Sequence, residues 1–175
     1  GIARAVIMQP ELIIADEPTT ALDVTIQAQI LDLLRAVKKK ISGSIMLITH
    51  DLGVINEMAD DVVVMYCGQV VEQASARTIF TDCKQSHPYT EGLMHSIPQL
   101  TGDRTKLDPI PGAVPHPLDL PKGCKFAPRC KYCTQRCIDE EPELMQVGED
   151  QYVRCFYPDK EERRSEEHGK ITVNY

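Results

Sequence analysis

Two groups of side chains in this 175-residue sequence have the types and spacing to do chemistry. In the first, Asp16 and Glu17 close the apolar run Ile13-Ile14-Ala15. Pro18, Ala21-Leu22-Asp23 and then Thr49-His50, at the end of a second apolar run, follow. Adjacent carboxylates repel and resist burial, so an apolar strand ending in two of them needs a cation or a proton beside it. Asp16 bound to Mg²⁺ through water, with Glu17 turned toward an attacking water, would meet that need; the chemistry would be metal-assisted hydrolysis. In the second group, Cys124, Cys130, Cys133, Cys137 and Cys155 crowd one segment while Cys67 and Cys83 lie apart. Their polar neighbours Lys125, Arg129, Lys131, Gln135 and Arg136 argue against five separately buried thiols. Clustered reduced cysteines bind metal: Cys130-Lys131-Tyr132-Cys133 has zinc-knuckle spacing, and any four of the five thiolates suit either tetrahedral zinc or an iron–sulfur cluster. Spacing leaves both open.

The elements that must position these residues follow from pattern. Leu12 to Ala15, bounded by Pro10 and Pro18, suits a strand buried on both faces of a parallel sheet, and Ser44 to Thr49 repeats the pattern. Between them Ile26, Ile30, Leu33, Leu34, Val37 and Ile41 recur at helical spacing, predicting an amphipathic crossover helix from Val24 to about Lys40. A right-handed strand–helix–strand unit delivers Asp16, Glu17 and His50 to one edge, where open α/β sheets place ligands. Asp51 caps a short helix reaching Ala59, Asp61 to Met65 is a strand, and Gln69 to Ala74 pairs with it across a Cys67-Gly68 turn. Short helices are expected between Arg77 and Ile97. Residues 98–123 hold six of the twelve prolines and read as a connector, so the chain divides near residue 100.

Other signals have plain readings. Lys38-Lys39-Lys40 offsets a helix C-terminal dipole. Cys67 and Cys83 are small hydrophobes or exposed thiols, and His87 is a turn residue. His95, His116 and His168 belong to no constellation. The run Glu161 to Glu167 is mixed charge and reads as a solvated helix or frayed tail.

An apolar strand ending in Asp-Glu is by itself an ordinary strand-to-loop transition. The ordered set Asp-Glu-Pro, Thr-Ala-Leu-Asp and strand-Thr-His, however, resembles the second half of an ABC-type ATPase. Asp16 matches its Walker B aspartate, Glu17 its catalytic glutamate, Ala21-Leu22-Asp23 its D-loop and His50 its switch histidine. Gly1-Ile2-Ala3-Arg4-Ala5 resembles the helix after the signature loop. Further along, Ile110-Pro111-Gly112, Leu120 through Cys130, Cys137, Glu141-Pro142-Glu143-Leu144 and Val153-Arg154-Cys155 resemble the C-terminal extension of oligopeptide/dipeptide importer ATPases. His87-Pro88-Tyr89-Thr90 is similar to the motif before it.

The resemblance implies an α/β fold. Residues 1–83 would be the C-terminal half of a P-loop ABC ATPase domain, 84–160 the cysteine-containing extension, and 161–175 a charged tail. It implies that Glu17 polarises the attacking water, His50 contacts the γ-phosphate of ATP, Asp16 supports Mg²⁺ and Asp23 communicates across a head-to-tail ATPase dimer, homomeric or heteromeric. It further implies a [4Fe–4S] cluster on Cys124, Cys130, Cys137 and Cys155, with Cys133 a spare thiol that keeps zinc in play. Transmembrane permease subunits, an indirect link to a peptide-binding protein and a peripheral place on the cytoplasmic membrane face complete the picture.

No Gly-rich loop followed by Lys-Ser or Lys-Thr occurs in the 175 residues, nor the family's glutamine loop or signature Ser-Gly-Gly. This chain alone is therefore expected neither to bind nor to hydrolyse ATP, and to expose a sheet edge and apolar faces that favour self-association. A net charge of −7 argues against sequence-independent nucleic-acid binding. No apolar run approaches the roughly twenty residues that cross a bilayer. Two other classes stay open: an ABC ATPase without a transporter, and a metal-binding interaction module.

Overall fold

The computed structural model describes residues 10–40, 43–81, 84–96 and 109–164. The chain separates between Ala59 and Asp60 into two compact units. Gly1–Ala5, Ile41, Cys83, residues 98–108 of the connector, His168 and the tail beyond Arg164 lie outside the described residues.

In the first unit β1 (Leu12–Asp16), α1 (Val24–Lys40), β2 (Ser44–Ile48) and α2 (Leu52–Met58) form the expected crossover. β1 and β2 are parallel, with Ile13 opposite Ile45 and Asp16 opposite Ile48, so both strands end at one edge. Asp23 starts α1: its Oδ1 accepts from the amides of Thr25 and Ile26, each at 3.0 Å, satisfying two of the donors a helix N-terminus leaves free. Asp51 caps α2 through the amides of Gly53 and Val54, and its second oxygen accepts from Gln27 Nε2 at 3.1 Å. Lys38, Lys39 and Lys40 fill the last turn of α1.

Burial in this unit differs from expectation. Ile13 is buried, but Leu12 and Ile14 are exposed, as are Met46 and Ile48 of β2. Residues two apart on a strand share a face. One face of the two-stranded sheet is therefore covered and the other is not, rather than both being covered. The inward stripe of α1 is Leu31, Leu34 and Val37, with Leu34 only 1% exposed, whereas Ile26 and Leu33 face outward. The pattern located the helix but misplaced its buried face.

The second unit begins with the hairpin of β3 (Asp61–Tyr66) and β4 (Gln69–Ser75). Its turn residues Cys67 and Gly68 have φ of 46° and 78°, the doubly positive geometry that matches strand twist. β4 also pairs antiparallel with β6 (Tyr152–Val153), and β6 with β5 (Met145–Gln146), giving the order β3-β4-β6-β5. β4 thus shares a sheet with residues from the 150s, and the compact unit that starts at Asp60 contains both. Helices α3 (Ala76–Phe80), α4 (Pro88–His95), α5 (Gln135–Asp139) and α6 (Lys160–Arg164) complete the unit, α3 packing on β3 and β4, with a 3₁₀ turn at Ala127–Arg129. Tyr66, Val71 and Phe126 form the core against Tyr89 and Ile110, and the Tyr66 and Phe126 rings meet edge to face at 5.3 Å. Among the described residues no helix is long and apolar enough to cross a membrane.

Candidate functional site

The structure brings Glu17 and His50 together at the C-terminal edge of the parallel strands. The Glu17 amide donates to the Ile48 carbonyl at 2.8 Å, extending the ladder one residue, and the backbone then turns to φ 43°. A non-glycine residue there sits in a costly conformation, a kind of strain that collects at functional sites. The turn sets Glu17 Oε1 3.3 Å from His50 Nδ1, while Thr20 Oγ1 donates to Oε2 at 2.8 Å. These contacts, Thr20 first and His50 second, hold the Glu17 carboxyl below the usual range. Glu17 and His50 remain open, with side chains 46% and 78% exposed. Asp16 lies one residue back at the exposed strand end. Asp23 is engaged as the α1 cap rather than reaching this edge.

Cys124, Cys130, Cys137 and Cys155 line one cavity with His87, Phe126, Tyr132, Pro142, Phe156 and Arg163. Short backbone bonds place them: Cys124 N to Cys137 O at 2.8 Å, Ala127 N to Cys124 O, Cys130 N to Ala127 O, and Cys137 N to Thr134 O. Gly123 permits this closure, because a Cβ there would stand 2.4 Å from the Cys137 carbonyl oxygen. Burial pushes Cys130 and Cys155 up to about 12 and raises Cys124. The Cys133 thiol, hydrogen-bonded to Cys137, pulls Cys137 down to about 6 with help from Thr134, and is itself driven upward by that bond and by burial. Cys133 is buried among Ala127 and Cys137 and is absent from the cavity wall. Among the described residues no three His, Cys, Asp or Glu side chains converge on a point that would hold a single metal ion.

A buried polar network ties this region to β4. Glu72 is fully buried and accepts from the His87 amide and from Gln151 Nε2, both at 2.8 Å. Burial raises its carboxyl. His87 is more than a turn residue: 1% exposed, it caps α4 by accepting from the Tyr89 amide at 3.0 Å, with Pro88 following as the first helical residue. Nearby, Arg163 Nη2 donates to Glu91 Oε2 at 3.1 Å, both side chains being buried. That overturns the reading of the 161–167 run as solvated, at least at Arg163.

Comparison with known proteins places this geometry. Residues 71–137 match the model of the oligopeptide/dipeptide transporter C-terminal region. The oligopeptide transport ATP-binding protein AppD of Bacillus subtilis (strain 168) is 52% identical over 160 residues, 91% of this chain and 48% of that protein. The dipeptide transport ATP-binding protein DppD of Escherichia coli (strain K12) is 47% identical over 157 residues, 90% of this chain and 47% of its own length. A putative peptide import ATP-binding protein of Brucella melitensis biotype 1 is 48% identical over 147 residues. The chain belongs to the family of peptide-transport ABC ATP-binding subunits. It spans about half the length of the curated relatives it matches.

Within this family's C-terminal region the matched span carries β4, α4, Cys124, Cys130, Cys133 and Cys137, while Cys155 and Arg163 lie beyond it. Sequence reasoning missed Glu72, Glu91, Gln151 and Arg163. The only local signal for Glu72 is a carboxylate inside the apolar strand Val70-Val71-Glu72, an oddity that burial against donors explains.

Proposed function

We propose that the protein works as the ATP-hydrolysing, energy-coupling subunit of a peptide importer. Glu17 polarises the attacking water, His50 contacts the γ-phosphate, Asp16 supports Mg²⁺, and Asp23 orders the loop that meets a second ATPase subunit. The observation that carries this reading is the Glu17–His50 approach of 3.3 Å at the strand edge, with strain stored at Glu17. The relatives' names, oligopeptide and dipeptide transport ATP-binding proteins, support the substrate class. Permease subunits and a place on the cytoplasmic membrane face follow from that reading. The 175 residues hold no lysine-bearing phosphate loop, so turnover needs one supplied with them. The test is magnesium-dependent ATP hydrolysis by the full-length subunit assembled with its permease. Glu17→Gln lowers turnover by about 10²-fold or more while ATP still binds; turnover unchanged in that variant overturns the assignment.

We further propose that Cys124, Cys130, Cys137 and Cys155 hold a [4Fe–4S] cluster, with Cys133 outside the ligand set. The support is that all four thiols line one cavity from which Cys133 is absent, the donor set that a four-thiolate cluster takes. The group would supply a rigid covalent cross-link for a proline-rich segment, and thiolate charge would build up only as metal displaces protons. The chain's own part is to exclude water with Phe126, Phe156 and Tyr132 and to fix the loop through the Cys124–Cys137 backbone bond.

A further inference from the structure

Arg163 lines the cysteine cavity, and the preceding assignments give its charge no role. Its side chain is 1% exposed, and only Nη2 is satisfied, by Glu91. Nε and Nη1 are buried without a partner. A charged donor stripped of water and left unbonded carries its full desolvation penalty, so two on one guanidinium call for acceptors. The Tyr132 ring, 5.0 Å from the guanidinium carbon, attracts the cation's charge but leaves Nε and Nη1 without a hydrogen-bond acceptor. Glu91 meets only Nη2 of the guanidinium, and its other oxygen accepts from Tyr132 Oη at 3.2 Å with Lys131 Nζ 3.6 Å away. The His87 acceptor nitrogen is taken by the Tyr89 amide. Lining the same cavity are four thiol sulfurs, those of Cys124, Cys130, Cys137 and Cys155.

We propose that Arg163 is a positioning residue for an anionic sulfur guest, its Nε and Nη1 donating to the sulfurs of the cluster held by the four cysteines. The proposal rests on the cluster reading above. Hydrogen bonds to cluster sulfur offset negative charge and favour the reduced state, which carries one more electron. The Glu91–Arg163 pair then acts as a fixed mount: Glu91 holds one edge of the guanidinium so that the other faces the sulfurs.

The test uses the 175-residue chain reconstituted anaerobically with iron and sulfide, with the reduction midpoint followed by electron paramagnetic resonance. Arg163→Met, and the double variant Arg163→Met with Glu91→Gln, which leaves no unpaired buried charge, shift the redox equilibrium at least tenfold toward the oxidised form. For a one-electron couple that is about 59 mV. Glu91→Gln alone breaks the same ion pair but keeps the donors, and does not shift it that way. Iron lost from both Arg163 variants but kept by Glu91→Gln also supports the proposal. Iron-loaded Arg163 variants with the wild-type midpoint overturn it and leave the cluster reading standing. Equal iron loss in all three variants assigns Arg163 a merely structural role and overturns it too. A wild-type chain that takes up no iron ends the cluster reading and this proposal together.

Discussion

The two units handle polar chemistry in opposite ways. In residues 10–59 the groups proposed to react, Asp16, Glu17 and His50, sit on an open strand edge, where one hydroxyl holds Glu17 and Glu17 meets His50. In residues 60–164 the polar groups Glu72, His87, Glu91 and Arg163 are buried. Open carboxylates can be exchanged at little cost to folding but do nothing until a partner arrives, whereas buried ones cannot be removed without leaving orphaned donors. The first unit is built to be completed by contact, and the second to hold itself.

The sharpest way to break that contrast is at Gly123. A Cβ there meets carbonyl oxygens of Cys137 and Ile138 at 2.4 and 2.5 Å, backbone that has little room to move. Gly123→Ala is expected to cost the second unit about 3 kcal/mol and to reduce its metal content. All six tyrosines lie in that unit, so tyrosine fluorescence in urea reads it alone. Leu34→Ala should cost the first unit about 3 kcal/mol, read by hydrogen exchange of α1 amides, with metal content unchanged.

A smaller effect isolates His87. Burial pushes its imidazole down to about 3, with the charges of Arg163 and Arg154 adding to the shift, against about 6.5 in the unfolded chain. Between those values the unfolded state binds the extra proton. The His87 contribution is therefore intact above pH ~6.5 and is lost as pH falls, by up to about 1.4 kcal/mol per pH unit. Glu72, raised by burial, acts in the opposite sense above its ordinary range. His87→Asn keeps a capping acceptor and does not titrate. Wild type should therefore lose about 1 kcal/mol relative to it between pH 6 and pH 5 in paired urea titrations. Smallest of all is Glu17→Gln, which should leave the unfolding midpoint of the first unit close to the wild-type value, since the side chain is half exposed and its contacts with Thr20 and His50 are screened by water.

What the sequence made legible was local. Helical spacing located Val24–Lys40, Asp51 marked α2, and Cys67-Gly68 marked the hairpin turn. The family followed from motifs at Asp16, Glu17 and His50 and from the segments Ile110-Pro111-Gly112, Leu120 through Cys130 and Val153-Arg154-Cys155. What stayed hidden was long-range or depended on context. Glu91 and Arg163 lie 72 positions apart, and Arg163 sits in a charged run that looks solvated until its partner is known. The exposure of Leu12 and Ile14 was hidden for the opposite reason: an apolar strand reads as buried whether or not its second face is covered.

The central claim, that the self-contained unit is organised around a cluster held by four of its five clustered cysteines, has a direct test. Iron and acid-labile sulfide are measured in the anaerobically purified chain, in Cys133→Ser and in Cys137→Ser. The prediction is about four irons and four sulfides per chain in wild type and Cys133→Ser, and loss of both in Cys137→Ser. About one zinc per chain with no sulfide, or loss of iron on Cys133→Ser, would contradict it.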